Sequence, residues 1–401
     1  MKNNKPTLIN LLKKAFYIGT IGYGGPAILA QMKKTFTKDN EWATEKEFME
    51  AMSLAQILPG ATGVSIMGYF GYKYKKFLGA ILVPLFFILP ATIAMIVISW
   101  AYFEYGSLSF VKPLFAGLGA LVVALLLNAI FVLGKSVYGK IRLKDYKAFI
   151  ITISIFIGSY VLKVNTIWLI ILAGLFGFLL FYFEKESIKD TALEKDVIDL
   201  AVKTQQKLIF RDYLPLITLG LIVSGILILP ATRTLYLNFF NIGSFAFGGG
   251  FTAIPLIQHV VVDQLHWVDF LQFRDGIAMG QITPGPVFIT ATFIGYRVFG
   301  VLGALVSTLA VFSPSLILMV LLSSAHNKVK HLKIVQVIIK GFLAGFIGLI
   351  AAITIRFALQ SLISWQTWLI FVGGFVYIWY FKKNAVWAII ATIVLSTFIF
   401  N

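Results

Sequence analysis

Long apolar segments alternate with short polar stretches along this chain, and the apolar segments fall into two sets of about six. Segments of about 17–25 residues are long enough for an α-helix to cross a membrane. Helices are expected because an open chain in lipid must pair its backbone polar groups within each segment. The pattern therefore predicts an all-α polytopic membrane protein. The segments lie near residues 7–32, 47–73, 76–103, 108–134, 148–163 and 165–183, and near 234–258, 271–298, 299–325, 332–360, 362–381 and 385–400.

A polar stretch separates the two sets. It runs from Glu184 to Asp212, is rich in Lys, Glu and Asp, and is followed by a lone apolar segment from Tyr213 to Ala231. We therefore expect three parts: a repeat over residues 1–183, a linker with one extra transmembrane helix over 184–233, and a second repeat over 234–401.

The two sets share one sequence pattern, offset by about 224 residues, as the pair Phe16 and Phe240 shows. Two like halves that carry broken apolar segments at matching positions are typical of secondary transporters, and the breaks point to the substrate site. Further matched pairs are Gly19 and Gly243, Trp42 and Trp267, Phe48 and Phe273, Gln56 and Gln281, Gly71 and Gly295, Gly79 and Gly303, Pro90 and Pro314, and Gly117 and Gly341.

The number of crossings predicts that the second repeat is inverted relative to the first. Six crossings return the chain to its starting side, and the lone segment then places the second set upside down. With a cytoplasmic N-terminus, the lysines of residues 73–76, 135–147, 328–333 and 382–383 all lie inside, as the positive-inside rule favours. The same count puts the loop from Lys33 to Glu47 outside. It puts the net acidic loop that holds Asp263, Asp269, Arg274 and Asp275 inside, against the charge trend.

Composition supports the membrane assignment and excludes several functions. Hydrophobic residues make up 59% of the chain and charged residues 13%, against about 25% charged in soluble domains. The net charge is +17, but the basic residues lie in short runs between apolar segments, which argues against nucleic-acid binding. The chain has no cysteine, and its four histidines show no metal-ligand spacing, so we expect neither a metal nor another cofactor. The N-terminus shows no cleavable signal.

Two segments of each repeat are broken by glycine and proline near their middle. Proline ends or kinks a helix, and glycine permits unusual dihedral angles and close backbone approach. A helix that restarts at such a break presents free N–H groups and a positive dipole end, which favour an anion. The alternative that remains open is that these glycines serve only helix packing. The breaks contain Gly24, Gly25, Pro26, Pro59 and Gly60 in the first repeat, and Gly248, Gly249, Gly250, Pro284, Gly285 and Pro286 in the second.

Hydroxyl and amide side chains near the breaks are candidate ligands for a tetrahedral oxyanion, which needs many hydrogen-bond donors. For any single hydroxyl, hydrogen bonding within or between helices is an equally good explanation. Gln56 and Gln281 are better candidates, because the repeat keeps them beside both Pro-Gly breaks. The candidates are Thr20, Gln56, Ser65, Ser244, Gln281, Thr283 and Thr290.

Four charged residues complete the candidate set. Lys73 and Arg297 are matched and would lie at opposite membrane faces, where they could attract an anion at each mouth or act as interfacial anchors. Glu50 and Asp275 are also matched and could couple transport to protons, although a shallow interfacial role is the alternative.

The chain resembles the chromate ion transporter family in its long, two-domain form. The resemblance is carried by Phe247-Gly248-Gly249-Gly250, Thr283-Pro284-Gly285-Pro286 and Gly295-Tyr296 in the second half, and by Gly24-Gly25-Pro26 and Pro59-Gly60 in the first. It implies proton-motive efflux of chromate, with sulfate as a competitor, across the cytoplasmic (inner) membrane. The first half departs from the usual family pattern at Tyr23, Ala27–Ala30 and Ala61.

We therefore expect a secondary carrier of chromate or a related oxyanion, not an enzyme. The alternatives are an importer or exchanger of sulfate or another anion, a channel and, in a different class, a membrane-embedded enzyme or lipid flippase. The last would need a cluster of acids or histidines at membrane depth. A homodimer is compatible with the sequence, and nothing in the chain shows one.

Overall fold

The computed structural model describes residues 6–23, 25–106, 112–138, 146–182, 223, 225, 229–323, 333–381 and 385–400, and these residues form fourteen α-helices with no strand among them. The linker 184–212 and nearly all of the lone apolar segment lie outside the described residues. The helices of the first half are α1 (Leu8–Ile21), α2 (Gly25–Lys33), α3 (Glu45–Ile57), α4 (Thr62–Tyr105), α5 (Lys112–Tyr138), α6 (Tyr146–Tyr160) and α7 (Thr166–Phe181). Those of the second half are α8 (Pro230–Phe245), α9 (Ala253–Gln258), α10 (Phe270–Ile282), α11 (Thr290–Ser323), α12 (Lys333–Ser361), α13 (Trp365–Phe375) and α14 (Ala385–Ile399).

The helices confirm an all-α polytopic architecture. Four of the described helical stretches are long and apolar enough to cross a membrane: residues 62–105, 113–138, 287–321 and 334–361. Three shorter apolar helices, α6, α7 and α14, accompany them. The helix ends agree with the predicted breaks, because α1 stops before Gly22, α3 before Leu58, α8 before Ala246 and α10 before Thr283.

Helices α4 and α11 each reverse direction at a matched turn. The turn of α4 lies at Lys75 and Lys76, and Lys76 has φ 51°. The turn of α11 lies at Phe299 and Gly300, and Gly300 has φ 53°. Residues 62–74 therefore run back along residues 77–105, and residues 290–298 run back along residues 301–323. Glycines permit the close approach of the two arms, since a Cβ on Gly71 would lie 2.2 Å from the carbonyl oxygen of Gly79.

Helix α3 and residues 62–74 form a re-entrant hairpin, which we call hairpin A. The Lys73 ammonium pairs with the Glu47 carboxylate at 2.7 Å, and the rings of Phe48 and Phe70 stack 6.0 Å apart. These contacts run antiparallel, so the break at 58–61 is the tip and both ends lie at one membrane face. The sequence left open whether the broken segments span the membrane or are re-entrant, and the count of six crossings treated residues 47–73 as a span. That count is wrong, because the Pro-Gly break reverses the chain instead of kinking it.

The second half contains the matching hairpin B, formed by α10 and residues 290–298. A Cβ on Gly276 would lie 2.6 Å from the Phe293 ring, and one on Gly280 would lie 2.9 Å from the Thr290 hydroxyl oxygen. The contacts again run antiparallel, and the tip is the break at 283–286. Residues 271–298 thus also enter and leave at one face, contrary to the expected crossing.

The two hairpins open at opposite membrane faces, which makes the repeats inverted. The guanidinium of Arg297, at the mouth of hairpin B, lies 5.4 Å from the centre of the Phe103 ring. Phe103 is near the end of residues 77–105, a helix about 40 Å long that starts at the turn of hairpin A. We call the face at Lys75 and Lys76 the lysine face, and the face at Gly106 and Asp269 the aspartate face.

This arrangement corrects two expected loop positions. The loop from Lys33 to Glu47 lies at the lysine face with Lys73, since Glu47 pairs with Lys73 and the Tyr74 hydroxyl donates to the Trp42 carbonyl. The loop that leads to Asp269, at the start of α10, lies at the opposite face. There the Tyr102 hydroxyl donates to Asp275, in the second turn of α10.

The ring of Phe239 in α8 stacks on Trp267 at 6.2 Å, so α8 starts at the aspartate face and residues 234–258 also turn back at their break. By the same repeat, residues 7–32 start and end at the lysine face. Neither broken segment of a half adds a crossing, so both loops change side. The acidic loop consequently no longer conflicts with the charge trend.

The last helices of each half pack against the other half. Helices α6 and α7 lie against α12, whereas α13 and α14 lie against α5, and α5 and α12 also contact each other. The α7–α12 contact is backbone to backbone, because a Cβ on Gly177 would lie 2.6 Å from the Cα of Gly341. In lipid, such small-residue contacts hold helices together where no hydrophobic effect does. The exchange ties the two halves into one bundle around the hairpin tips.

Candidate functional site

The four breaks meet in two matched pairs, each joining one half to the other. The amide of Gly60 donates to the carbonyl of Ala246, and the amide of Gly285 donates to the carbonyl of Gly22, both at 2.8 Å. Gly60 is matched with Gly285, and Gly22 with Ala246, so a pseudo-twofold axis relates the two bonds. The tip of each hairpin therefore binds the break that follows the first helix of the other half.

Glycine is required at both hairpin tips. Gly60 has φ 97° and Gly285 has φ 115°, which other residues rarely adopt. A Cβ on Gly60 would lie 2.7 Å from the Ser315 Cβ, and one on Gly285 would lie 3.0 Å from the Ala91 Cβ. Ser315 and Ala91 follow the matched prolines Pro314 and Pro90, which the repeat had singled out without giving them a role. These prolines lie where the opposite tip packs against the long helix.

Three helical starts at the breaks have no side-chain cap, unlike the starts of α3 and α10 at the membrane faces. Helix α3 begins with a capping box on Thr44, and α10 with one on Asp269. By contrast, the three starts at the breaks have no side-chain cap. These are α4 after Ala61, a short 3-10 turn after Pro286 and another after Gly249. The first N–H groups of a helix need partners from outside it. The breaks therefore offer several uncompensated donors at one place.

The glycine run of the second half is the clearest of these sites. Gly248 and Gly249 have φ 89° and 110°, and no atom lies within 4 Å of a Cβ placed on Gly249. Among the described residues, the amides of Gly249, Gly250 and Phe251 have no acceptor. Gly250 packs against Val287, which joins this run to the tip of hairpin B. Gly249 thus borders open space beside free backbone donors.

Most of the candidate hydroxyls donate to the backbone of their own segment. Thr20 donates to Phe16 at 2.9 Å and Ser244 to Phe240 at 2.8 Å. Thr283 donates to Gly280 and Thr290 to Val287. For these four the structure shows the ordinary local role left open by the sequence, although a hydroxyl bonded in this way can still accept a hydrogen bond.

Ser65 and Gln281 differ from that group. Within the described part of the chain, the buried Ser65 hydroxyl and the buried Gln281 Nε2 have no hydrogen-bond partner. Buried polar atoms are nearly always paired, so these two side chains close to a break are candidates to bind the substrate. Gln56, which is matched with Gln281, is exposed instead. Gly24 is not described, and Gly25 and Pro26 lie in the first turn of α2.

Lys73 and Arg297 lie at opposite faces, and both contact aromatic rings. Lys73 pairs with Glu47 and lies 5.1 Å from the centre of the Tyr74 ring, whereas Arg297 lies over Phe103. Neither residue is near the breaks, because each sits at the mouth of its hairpin.

Asp275 lies in a buried polar cluster that sequence analysis did not predict. Its carboxylate accepts from the Arg274 guanidinium at 2.7 Å and from the Tyr102 hydroxyl at 3.0 Å. The only signal in the sequence was an Arg-Asp pair inside an apolar segment. The matched Glu50 is half-buried at the other face. In the described part of the chain, no group of three His, Cys, Asp or Glu side chains could hold a metal ion.

The chain is similar to known transporters over most of its length. A family model described as chromate transporter matches residues 9–178 and again 233–397. An uncharacterized transporter of Methanocaldococcus jannaschii is 31% identical over 98% of this chain and 95% of its own length. Chromate transport proteins of Cupriavidus metallidurans and Pseudomonas aeruginosa are 29% and 27% identical, over 94% and 95% of this chain and 89% and 90% of their own lengths. No solved structure matches the chain.

Each of the two family matches contains one hairpin and the break that the tip of the other hairpin meets. Together they cover most of the chain, and the relatives are matched over nearly their whole length. This multi-pass membrane protein therefore belongs to the chromate transporter family.

Proposed function

We propose that this protein is a secondary active transporter of chromate or a related tetrahedral oxyanion, and that the anion binds where the four breaks meet. The observation that carries the proposal is the set of uncapped helix starts after Ala61, Gly249 and Pro286. Each places free N–H groups and the positive end of a helix dipole at the meeting point. The names of the Cupriavidus and Pseudomonas relatives support chromate as the first anion to test.

The donors suit an oxyanion that must be released again. The amides of Gly249, Gly250 and Phe251 and the side chains of Ser65 and Gln281 are neutral donors. Neutral donors can surround the oxygens of a tetrahedral anion without the strong pairing that a lysine or arginine would give. Residues Gln56, Pro59, Pro284 and Pro286 would shape the same site. Rocking of the two inverted halves about it would give alternating access.

The proposal also covers the direction of anion transport and its coupling to protons. Efflux driven by the proton motive force would need an acid that binds a proton during the cycle, and Asp275 and Glu50 are the candidates. Lys73 and Arg297 would attract the anion at the two mouths. The concentration of lysines at one face supports a cytoplasmic lysine face in the cell inner membrane. We further propose the division into repeats 1–183 and 234–401, joined by 184–233, with a cytoplasmic N-terminus.

The experiment that tests the function is uptake of radiolabelled chromate and sulfate into proteoliposomes, with and without an imposed pH gradient. Saturable chromate uptake that sulfate competes with and the gradient changes is expected. Uptake of sulfate alone would favour the sulfate importer or exchanger. Absence of flux for both ions would overturn the proposed substrate.

The site is tested by paired glycine variants. Gly249→Leu should abolish uptake, because the side chain would fill the space beside the free amides. Gly300→Leu is the matched control, since both glycines have a positive φ and no atom lies within 4 Å of a Cβ at either position. Gln281→Ala should raise the KM for the anion. Normal uptake by both Gly249→Leu and Gln281→Ala would assign the breaks to packing alone.

A further inference from the structure

Helices α3 and α10 occupy matched positions but pack differently. Helix α10 packs along α5 and α14, whereas α3 has at most marginal contact with their counterparts α12 and α7. Inverted repeats that adopted identical conformations would show the same contacts twice. The difference means that the two halves of this structure are in different conformations.

The difference appears along one stripe of each helix. On α3, Met49 is 44% exposed, and Ser53 and Gln56 are exposed as well. On α10, the matched Arg274 and Ala278 are 7% and 2% exposed. These positions follow helical spacing and share one face of the helix. The stripe on α3 includes the polar side chains of Ser53 and Gln56 near the hairpin tip. Exposed polar side chains at this depth indicate a water-filled crevice along α3 and not contact with lipid.

Arg274 is the residue that closes the face of α10. Its guanidinium donates to Asp275, to the Ser361 hydroxyl at 3.1 Å and to the Phe115 carbonyl at 3.4 Å. These bonds connect hairpin B to α12 and α5. The guanidinium also lies over Gly119, where a Cβ would come within 2.7 Å of its carbon atom. Any residue with a Cβ at this position of α5 would clash with the Arg274 guanidinium, so Gly119 makes room for it.

Among the described residues, the hydrogen bonds that connect Arg274 to α12 and α5 have no counterpart on hairpin A. Met49, at the matched position of hairpin A, has no hydrogen-bonding group, so hairpin A cannot be held in the same way. Beyond Arg274, a cavity of about 810 Å³ opens at the aspartate face and is lined by Asp269, Gln272 and Gln366 among others. The buried Arg274–Asp275 pair therefore lies between this outer cavity and the hairpin tips.

We propose that Arg274 is a positioning residue that holds hairpin B shut at the aspartate face, while hairpin A leaves a crevice along α3 open to the lysine face. This inference rests on the proposed transport function in one respect: a carrier needs one mouth closed while the other is open. It predicts a resting protein that is accessible from the lysine face.

The test uses the natural absence of cysteine. Single variants Ser53→Cys and Ala278→Cys are reconstituted in vesicles and treated with a membrane-impermeant maleimide from either side. Ser53→Cys should react from the lysine face, and Ala278→Cys should be protected from both. Lys38→Cys and Gln264→Cys lie at exposed positions of the short π-helices 34–39 and 259–264, next to the two hairpins, and serve as sidedness controls.

Loss of the arginine should then exchange the two accessibilities. Arg274→Met, which copies the residue at position 49, should speed labelling of Ala278→Cys from the aspartate face by about tenfold or more, and slow that of Ser53→Cys. Arg274→Lys should restore much of the protection. If Arg274→Met alone misfolds because Asp275 is left without its partner, Arg274→Met combined with Asp275→Asn removes both charges and should give the same exchange.

Two results would overturn the inference. One is equal labelling of Ser53→Cys and Ala278→Cys in the parent background, and the other is unchanged labelling of both after Arg274 is replaced. Labelling needs no transported anion. Failure of chromate uptake with the expected labelling would therefore reject the substrate and keep the role of Arg274, whereas normal uptake with unchanged labelling would do the reverse.

Discussion

The amide of Gly60 donates to the carbonyl of Ala246 at 2.8 Å, and this bond joins the tip of one hairpin to the break in the first segment of the other half. Its counterpart joins Gly285 to Gly22 at the same distance. Backbone groups freed by the breaks thus satisfy one another across the pseudo-twofold axis, which lowers the cost of unpaired polar groups at membrane depth. The amides that remain free are those next to this pairing.

Replacing a tip glycine should destabilise the protein. Gly60→Ala forces a side chain into φ 97° and against Ser315, and we expect a loss of about 1–3 kcal/mol in stability. Thermal unfolding of the purified variant in detergent measures the effect as a lower midpoint. Gly373→Ala is the control, because its Cβ would meet nothing. An unchanged midpoint for Gly60→Ala would show that the tip is not held as described.

Removal of the Ser65 hydroxyl should weaken transport without weakening the fold. The hydroxyl is buried and has no partner among the described residues, so Ser65→Ala leaves no group behind that has lost a bond. We expect an unchanged melting midpoint and a raised KM for chromate uptake. Ser396, another buried hydroxyl without a described partner, is the control, and Ser396→Ala should leave both unchanged. Equal effects of the two substitutions on uptake would remove Ser65 from the site.

The two mouth cations should differ in their effect on anion uptake. Lys73 is already paired with Glu47, whereas the exposed Arg297 has no carboxylate partner among the described residues. We expect Lys73→Gln to change the KM for chromate little and Arg297→Gln to raise it several-fold at low salt. The effect of Arg297 should shrink at about 0.15 M ionic strength or above, where exposed charges are screened. Salt-independent effects would assign both residues to anchoring.

The corrected loop positions give a topology prediction. Reporter fusions after Lys333 and Lys383 should both be cytoplasmic, because the lysine-rich loops share one face. A tag inserted at Lys38 should be found on that same side, since its loop is tied to hairpin A, and one at Gln264 should be found outside. A tag at Lys38 that appeared outside would restore the original crossing count and contradict the re-entrant hairpin.

Much of the fold could be predicted from the sequence, but the direction of the chain after a break could not. The breaks at Gly22, Pro59, Gly248 and Pro284 were predictable because proline and glycine act locally on the helix. Whether Pro59-Gly60 kinks a helix or reverses it was not predictable, because both use the same residues. The choice depends on contacts such as Glu47 with Lys73, which lie far apart in the chain. The predicted membrane sides of the loop from Lys33 to Glu47 and of the loop before Asp269 were wrong, because they assumed that the broken segments cross the membrane.

For the candidate site, the sequence predicted the glycines and Gln281 through the repeat, but it could not rank the hydroxyls. Thr20, Ser244, Thr283 and Thr290 bond to their own segment, and Ser65 does not, although all five look alike in the pattern. Arg274 was overlooked because its partners, Phe115 and Ser361, come from distant helices.

By itself, the sequence determined the membrane class, the two repeats, the positions of the breaks and the family, since these depend on composition, local helix chemistry and recurring residues. Only the tertiary structure decided that each hairpin tip binds the other half, which mouth Arg274 closes and which donors stay free. Those features depend on how distant segments meet, and in a bilayer their packing is set by backbone approach and polar pairing that leave little trace in the local sequence.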